Sequence, residues 1–402
     1  MIKRKIIFDS ILSISATTIP ILLLQLIILP TIALELGDIK YGLIITLISM
    51  SNLFSLPFGN VLNNIRLLLN EKYAENKLNG DFNILLLSGM MINTIVIIIG
   101  TIYYMGFFSF FDILLIVIFS LLNLIREYII VSFRILINYK YILINNLIMG
   151  LGYLAGLVAF KFIGYWQLIY LFGAFFSLFF VSKKSNLLKE GFKVTKFFYN
   201  TTYKVIILYI SSFVKSVLKY ADKLLIFPLL GPSAVATYYS ATLIGKIISM
   251  GITPLSGVML SYLAKMKDFK IKIFIKILLA ISLIGFIGYF LVLFISAPIL
   301  KLLYPNWAEE SLKLVHITAA TSMVGLINVV IHPIILKFSH INWQLFINLI
   351  NLLTYTVMVY LFFNLYGLIG FCLGILISSI IKLALMISIF IYNYRKKLKI
   401  KL

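Results

Sequence analysis

Four charged residues, Lys215, Lys219, Asp222 and Lys223, share one helical stripe inside the apolar stretch Tyr203 to Pro228. At 100° per residue they fall within an arc of about 100°. A charge at membrane depth costs roughly 2.5 to 3.5 kcal/mol on insertion scales, so a cluster that faces one way points at a polar cavity and not at lipid. Lysine outnumbers aspartate in that stripe, and the ligand chemistry it suits is anionic, a phosphate or a diphosphate.

Beyond the stripe, the cations that lie within apolar segments are Arg126, Lys246, Lys313 and Lys382, and the only other deep acid is Glu127. Lys313 sits within a turn of its segment's end and Lys382 about 13 Å from its own, within partial reach of snorkelling. All seven cations, Arg126, Lys215, Lys219, Lys223, Lys246, Lys313 and Lys382, are candidates for lining the cavity. Asp222 is placed to neutralise Lys219 three residues earlier or Lys215 seven earlier, and Glu127 to pair with a neighbouring helix. Glu127, Asp222 and His316 are also the groups able to take up a proton during transport. After such pairing, about four or five positive charges still want an anion. Polar faces accompany the charges: Ser120, Asn123, Arg126, Glu127 and Arg134; Thr242, Lys246, Ser249 and Thr253; Asn52, Gly59 and Asn63. Such stripes suit the walls of a hydrated cavity.

The elements that position these residues are membrane helices. The 402-residue chain is 62% hydrophobic and 12% charged, with a mean hydropathy of +1.08, outside the range of soluble globular proteins. Runs long enough to cross a bilayer cover 6–34, 41–62, 83–104, 110–132, 141–162, 166–182, 203–228, 234–260, 277–300, 311–335, 341–363 and 367–391. With the N-terminus inside, 25 of the 35 Lys and Arg fall on inner segments, three on outer segments and seven within helices. That asymmetry predicts a multi-pass protein with both termini cytoplasmic. Most of the net charge of +22 is thus topology, and a nucleic-acid partner is not expected. Lys3, Arg4 and Lys5 precede a run too long for a signal-peptide core, which reads as the first retained span.

Enzyme and metal chemistry find little support. Cys372 is the lone cysteine, so no internal disulfide or thiolate metal site forms. Gly245-Lys246 is not a phosphate-binding loop, because Ser240 stands where the first glycine belongs and Ile247 follows the lysine. His332 and His340 lack carboxylates in a ligand-like pattern, and the acids Glu35, Asp38, Glu309 and Glu310 read as solvated loop residues. No metal, no cofactor and no catalytic residue is expected.

The longest inner loop, 183–204, carries six lysines. It divides the chain into an N-terminal six-helix lobe (1–182), a basic cytoplasmic linker (183–204) and a C-terminal six-helix lobe (205–402). An internal echo supports the division. Leu36-Gly37 leads through Tyr41 into a span with Pro57, and Leu230-Gly231 leads through Tyr238 into a span with Pro254, offsets of 194 and 197. Proline-interrupted helices at matching positions in two halves point to a transporter built from repeats, with its site between them. Val61 to Leu78 reads as an amphipathic helix on the inner surface.

Two segments carry a resemblance: LELGDIKYGL at 34–43 and KYADKLLIFPLLGPSAVATYYSA at 219–241. They resemble the O-antigen and capsule flippases of the multidrug/oligosaccharidyl-lipid/polysaccharide exporter superfamily, whose first helical pair carries an LG…YG signature. The seventh helix of that family carries Asp, a basic residue, aliphatics, Gly and then Tyr, matched here by Asp222, Lys223, Gly231 and Tyr238, with Ala236 in place of a frequent glycine. The motifs span some thirty residues; the layout of twelve spans, central basic loop and basic tail extends the likeness to the whole chain. The resemblance implies an all-α, polytopic fold in the bacterial inner membrane, with two six-helix lobes rocking around a central cavity. It implies transfer of an undecaprenyl-diphosphate-linked oligosaccharide, the lipid-linked anionic partner, from inner to outer leaflet, coupled to a proton or sodium gradient. Membrane lipids and the polymerase and chain-length proteins of the same pathway are the further partners implied. Rival readings are a multidrug exporter of the same superfamily, which would offer acids to organic cations, and a membrane polymerase, ligase or acyltransferase, which would need a larger outer loop or a histidine-centred site.

Overall fold

The computed structural model describes residues 18–136, 138–249, 263, 271–339 and 342–401. Every regular element among them is helical. Residues 18–36 (α1) and 38–75 (α2) make one apolar stretch, Thr18–Glu75, broken at Gly37. There follow α3 (Asp81–Met105), α4 (Phe110–Ile129), α5 (Tyr139–Ile163), α6 (Gln167–Lys184), α7 (Phe198–Leu230), α8 (Pro232–Ala241), α9 (Ile271–Leu303) and α10 (Ala308–Phe338). A last stretch breaks at Tyr366 and Gly367 into α11 (342–365) and α12 (368–401). Among the described residues, eight stretches are long and apolar enough to cross a membrane, and the first and last of them each hold two helices. With α6, and with α8 and its helical continuation 243–249, these account for the twelve spans read from hydropathy. Helices are the forced solution, because backbone polar groups at membrane depth must be satisfied within the segment. Where the chain leaves the apolar layer, polar side chains cap it: Ser109 before α4 donates to Asp112 at 2.6 Å, and the Asn138 carboxamide accepts from the Tyr141 backbone before α5.

Packing divides the chain into two compact units, Met1–Val235 and Ala236–Leu402. In the first, α2 packs against α7, α4 and α3, while α6 covers α5 and α4. Phe54 and Phe58 of α2 meet Phe213 and Tyr209 of α7 ring to ring. Its core concentrates at one end, where Leu62, Ile65 and Tyr73 of the α2 stretch meet Phe82, Leu124, Tyr128, Phe133, Val181 and Val205. In the second unit α10 packs against α9 and the α11–α12 stretch around Phe274, Ile331, Ile334, Ile347, Met386 and Phe390. There α8 is tied to α10 by Ser240 with Ser311 and by Thr318 with the Ala241 carbonyl.

One expectation changes. Residues 61–75 do not form a separate surface helix but continue α2 as a rigid extension. Their polar residues do not all face outward: Arg66 and Tyr73 are buried, whereas Leu68 is 75% exposed. The burial is explained by the basic loop, whose central residues dock on the end of α2 and α3. Arg66 forms a two-pronged pair with Glu190 at 2.6 and 2.9 Å, and its guanidinium lies 4.9 Å from the Phe82 ring centre. Asn83 donates to the Glu190 carbonyl at 2.6 Å. Asp81 accepts from Tyr73, from the Thr195 backbone and from the Thr195 hydroxyl. Loop 185–197 is therefore strapped down by two buried polar nodes.

The internal echo has a conformational counterpart. Gly37 has φ 74 and ψ 176, and Gly231, 194 residues later, has φ 83 and ψ 174. This region is open essentially to glycine alone. The two turns also touch: the Ser233 hydroxyl donates to Asp38, and a Cβ on Gly42 would lie 1.8 Å from the Pro232 carbonyl oxygen. The LG…YG signature thus places one glycine for its backbone and the other for close approach. Gly37→Ala and Gly231→Ala are each expected to cost about 1 to 3 kcal/mol, although neither added Cβ meets an atom within 4 Å. Thermal unfolding in detergent measures it; unchanged midpoints in both would refute the backbone account. Pro254, the echo of Pro57, lies outside the described residues, as do Lys3, Arg4, Lys5, Thr253 and His340.

Candidate functional site

The polar faces of α2 and α4 meet. Asn123 donates to Asn52 at 3.1 Å, Asn63 donates to the Glu127 carbonyl at 2.8 Å, and Ser120 and Asn93 of α3 exchange hydrogen bonds. Part of what reads as cavity wall is thus interhelical bonding, the usual work of Asn and Ser between membrane helices. At the basic end of α4, Arg126 pairs with Glu127 at 2.5 Å and donates to the Met149 sulfur at 3.2 Å. Glu127 takes its partner from its own helix, not from a neighbour.

On α7 the Lys223 amine pairs with Asp222 at 2.5 Å and also donates to the Lys219 carbonyl at 3.4 Å. Lys223 is buried. The ion pair of Asp222 is accordingly with the adjacent lysine and not with Lys219 or Lys215, because Lys223 folds back toward its own preceding turn. Lys215 and Lys219 form no ion pair among the described residues, and both are exposed on the protein's own surface. Glu127 lies within electrostatic range of Lys219 and of Tyr220, so α4 and α7 bring Arg126, Glu127, Lys219 and Tyr220 into one neighbourhood. Four cations against two acids leave a formal surplus of two positive charges, carried by Lys215 and Lys219.

The remaining candidates belong to the second unit. Lys246 lies 4.3 Å from the Tyr239 ring centre, a cation–π contact. Lys313 and His316, one turn apart on α10, are both exposed, and Lys382 on α12 is half-buried. Among the described residues no three His, Cys, Asp or Glu side chains group as a metal site.

Sequence reasoning missed two contributors. Arg134 counts in a topology tally as one more inner cation, yet it is fixed between Asn63 and Asn64 at 2.5 and 2.9 Å; the Asn-Asn pair closing one polar face opposite an arginine closing another was the available signal. Glu190 lies within a basic loop, where an isolated acid gave no cue that it reaches Arg66, 124 positions earlier.

Comparison with solved structures follows the same architecture. The lipid II flippase MurJ in an inward closed conformation aligns with a TM-score of 0.69 at 15% identity, over 95% of this chain and 85% of that chain. The eukaryotic MATE transporter AtDTX14 aligns with a TM-score of 0.67 at 12% identity, over 98% and 97% of the two chains. An inward-facing multidrug resistance MATE family transporter of the MOP superfamily gives 0.65 at 12% identity, over 97% and 99%. The chain has the fold of the MOP superfamily. Both units take part in the likeness, since nearly the whole chain is covered. No protein-family profile matches the sequence and no curated protein matches it, and at such identities the likeness is one of fold.

Proposed function

We propose that this protein is a flippase that moves an undecaprenyl-diphosphate-linked oligosaccharide of O-antigen or capsule type from the inner to the outer leaflet of the bacterial cytoplasmic membrane. The observation that carries the reading is the pair Lys215 and Lys219. They are intramembrane cations left without an acid once Arg126 and Lys223 have taken theirs, and a diphosphate supplies the missing charge. The MOP fold supports a carrier and not an enzyme, with both termini cytoplasmic, the basic end of the first unit facing inward, and lobes 1–182 and 205–402 alternating about the linker 183–204. Polymerase and chain-length proteins would take over the product.

The MATE neighbours favour a second reading, export of organic cations. The two separate cleanly: reconstituted protein is expected to translocate a fluorescent diphosphate-linked lipid oligosaccharide and to leave ethidium gradients untouched. Ethidium efflux without lipid transfer would replace the first reading by the second. Cells lacking the protein should hold single repeat units on the inner leaflet, whereas loss of a polymerase leaves them on the outer.

The Asp38–Ser233 contact gives a further expectation. With Cys372 first changed to Ala, Asp38→Cys and Ser233→Cys together should form a disulfide that stops transport, with recovery on reduction. Full transport by the oxidised protein would show that these turns need not part.

A further inference from the structure

Arg134 lies on the helical turn Val131–Ile135 that follows α4, about 12 Å toward the basic end from Arg126. Both of its hydrogen bonds leave from Nη1, to Asn63 Oδ1 at 2.5 Å and Asn64 Oδ1 at 2.9 Å. Neither acceptor carries charge. Asn63 is itself buried and held by its bond to the Glu127 carbonyl, so the clamp is rigid. The guanidinium is half-buried, and its Nε and Nη2 make no hydrogen bond or ion pair among the described residues. A guanidinium held at one amino group and open along its Nε–Nη2 edge offers two parallel N–H bonds, the geometry that matches two oxygens of a phosphate. Because the clamp has already removed the side chain's freedom, little is lost when a ligand arrives.

We propose that Arg134 is an oxyanion-receiving residue, which engages a phosphate group at the basic end of the first unit before that group reaches Lys215 and Lys219. The proposal rests on the reading of the chain as a carrier of a diphosphate-linked lipid. Its parts are the fork on Arg134 and the two carboxamides that aim it.

The test uses the full chain in phosphatidylcholine nanodiscs, with inorganic diphosphate and farnesyl diphosphate as probes and calorimetric titration as readout. Arg134→Gln is expected to weaken both by about tenfold or more, and Arg134→Lys, which keeps the charge without the fork, to recover only part of the loss. Asn64→Ala, which removes half the clamp, should give a smaller loss and keeps the question open to measurement if Arg134→Gln fails to fold. Arg134→Gln binding as the wild type, or Arg134→Lys equal to it, would overturn the fork. Loss in the Lys215→Gln/Lys219→Gln double variant but not in Arg134→Gln likewise overturns it and leaves the deep site standing. The opposite pattern upholds Arg134 and rejects the deep site. Competition by phosphatidylglycerol added to the wild-type disc, absent with Arg134→Gln, supports the oxyanion fork with bilayer phosphate as its source; loss of probe affinity without such competition assigns the fork to the diphosphate substrate.

Discussion

Replacing both Lys215 and Lys219 by glutamate is expected to lower translocation of a lipid-linked oligosaccharide by at least about a hundredfold while the protein still inserts. Charge-assisted hydrogen bonds contribute roughly 1.5 to 3 kcal/mol each, and each 1.4 kcal/mol is about tenfold, so losing two is already in that range. Reversal adds repulsion. A carboxylate at position 219 would stand within range of Glu127, which already acts electrostatically on that position, and an arriving diphosphate would meet acids where it needs cations. Neither lysine has an internal partner among the described residues to lose, which predicts a small cost in stability. Charge reversal at Arg126 or Lys223 is different, since each breaks an existing pair and confounds folding with transport. Translocation in vesicles, normalised to inserted protein, is the measurement; normal transport by the Lys215→Glu/Lys219→Glu variant would end the cationic-site reading.

Arg66→Ala or Glu190→Ala should destabilise the protein by about 3 kcal/mol, the low end of what breaking a buried ion pair costs. Their side chains are 8% and 15% exposed, so each substitution strands the surviving partner away from water. Removing Arg66 also strips the cation that lies over Phe82. Replacing both by apolar residues of similar volume should recover most of the loss, because the desolvation penalty disappears with the pair. Unfolding midpoints in detergent read the size of the effect. Tryptic cleavage after Lys189 or Lys193 reports its location: released from its strap, the loop should be cut earlier than in the wild type. Single variants as stable and as resistant as the parent would show that the loop is held by the Asp81 node alone.

Hydropathy made the helices legible, since an apolar run of bilayer length has few other options, and the observed ends fall within a few residues of those read from sequence for α3, α6 and α10. The Gly37 and Gly231 pair was legible as a repeat because a backbone conformation reserved for glycine keeps the residue type at both copies. Pairing of the charges was not. Sequence spacing offers Asp222 several lysines on one stripe, and the choice of Lys223 depends on rotamers and packing against α2 that no periodicity encodes. Val61 to Leu78 misled for a related reason: alternating charge and leucine describe a helix lying in an interface as well as one buried beneath a loop, and only the partner of Arg66, far along the chain, decides between them.

The two polar contacts at opposite ends of α2 make it a lever with both ends pinned. Asp38 holds Ser233, just after α7, and Arg66 holds Glu190, just before it. The pins are about 42 Å apart along the helix, more than the thickness of a bilayer's hydrocarbon core of roughly 30 Å. Swinging α7 away from α2 at one end therefore turns it about the other. The pin at Asp38 is one hydrogen bond to a charged group, whereas that at Arg66 is a two-pronged ion pair with most of its surroundings dry. The weaker pin sets which end gives way first, and the stronger one serves as the fulcrum.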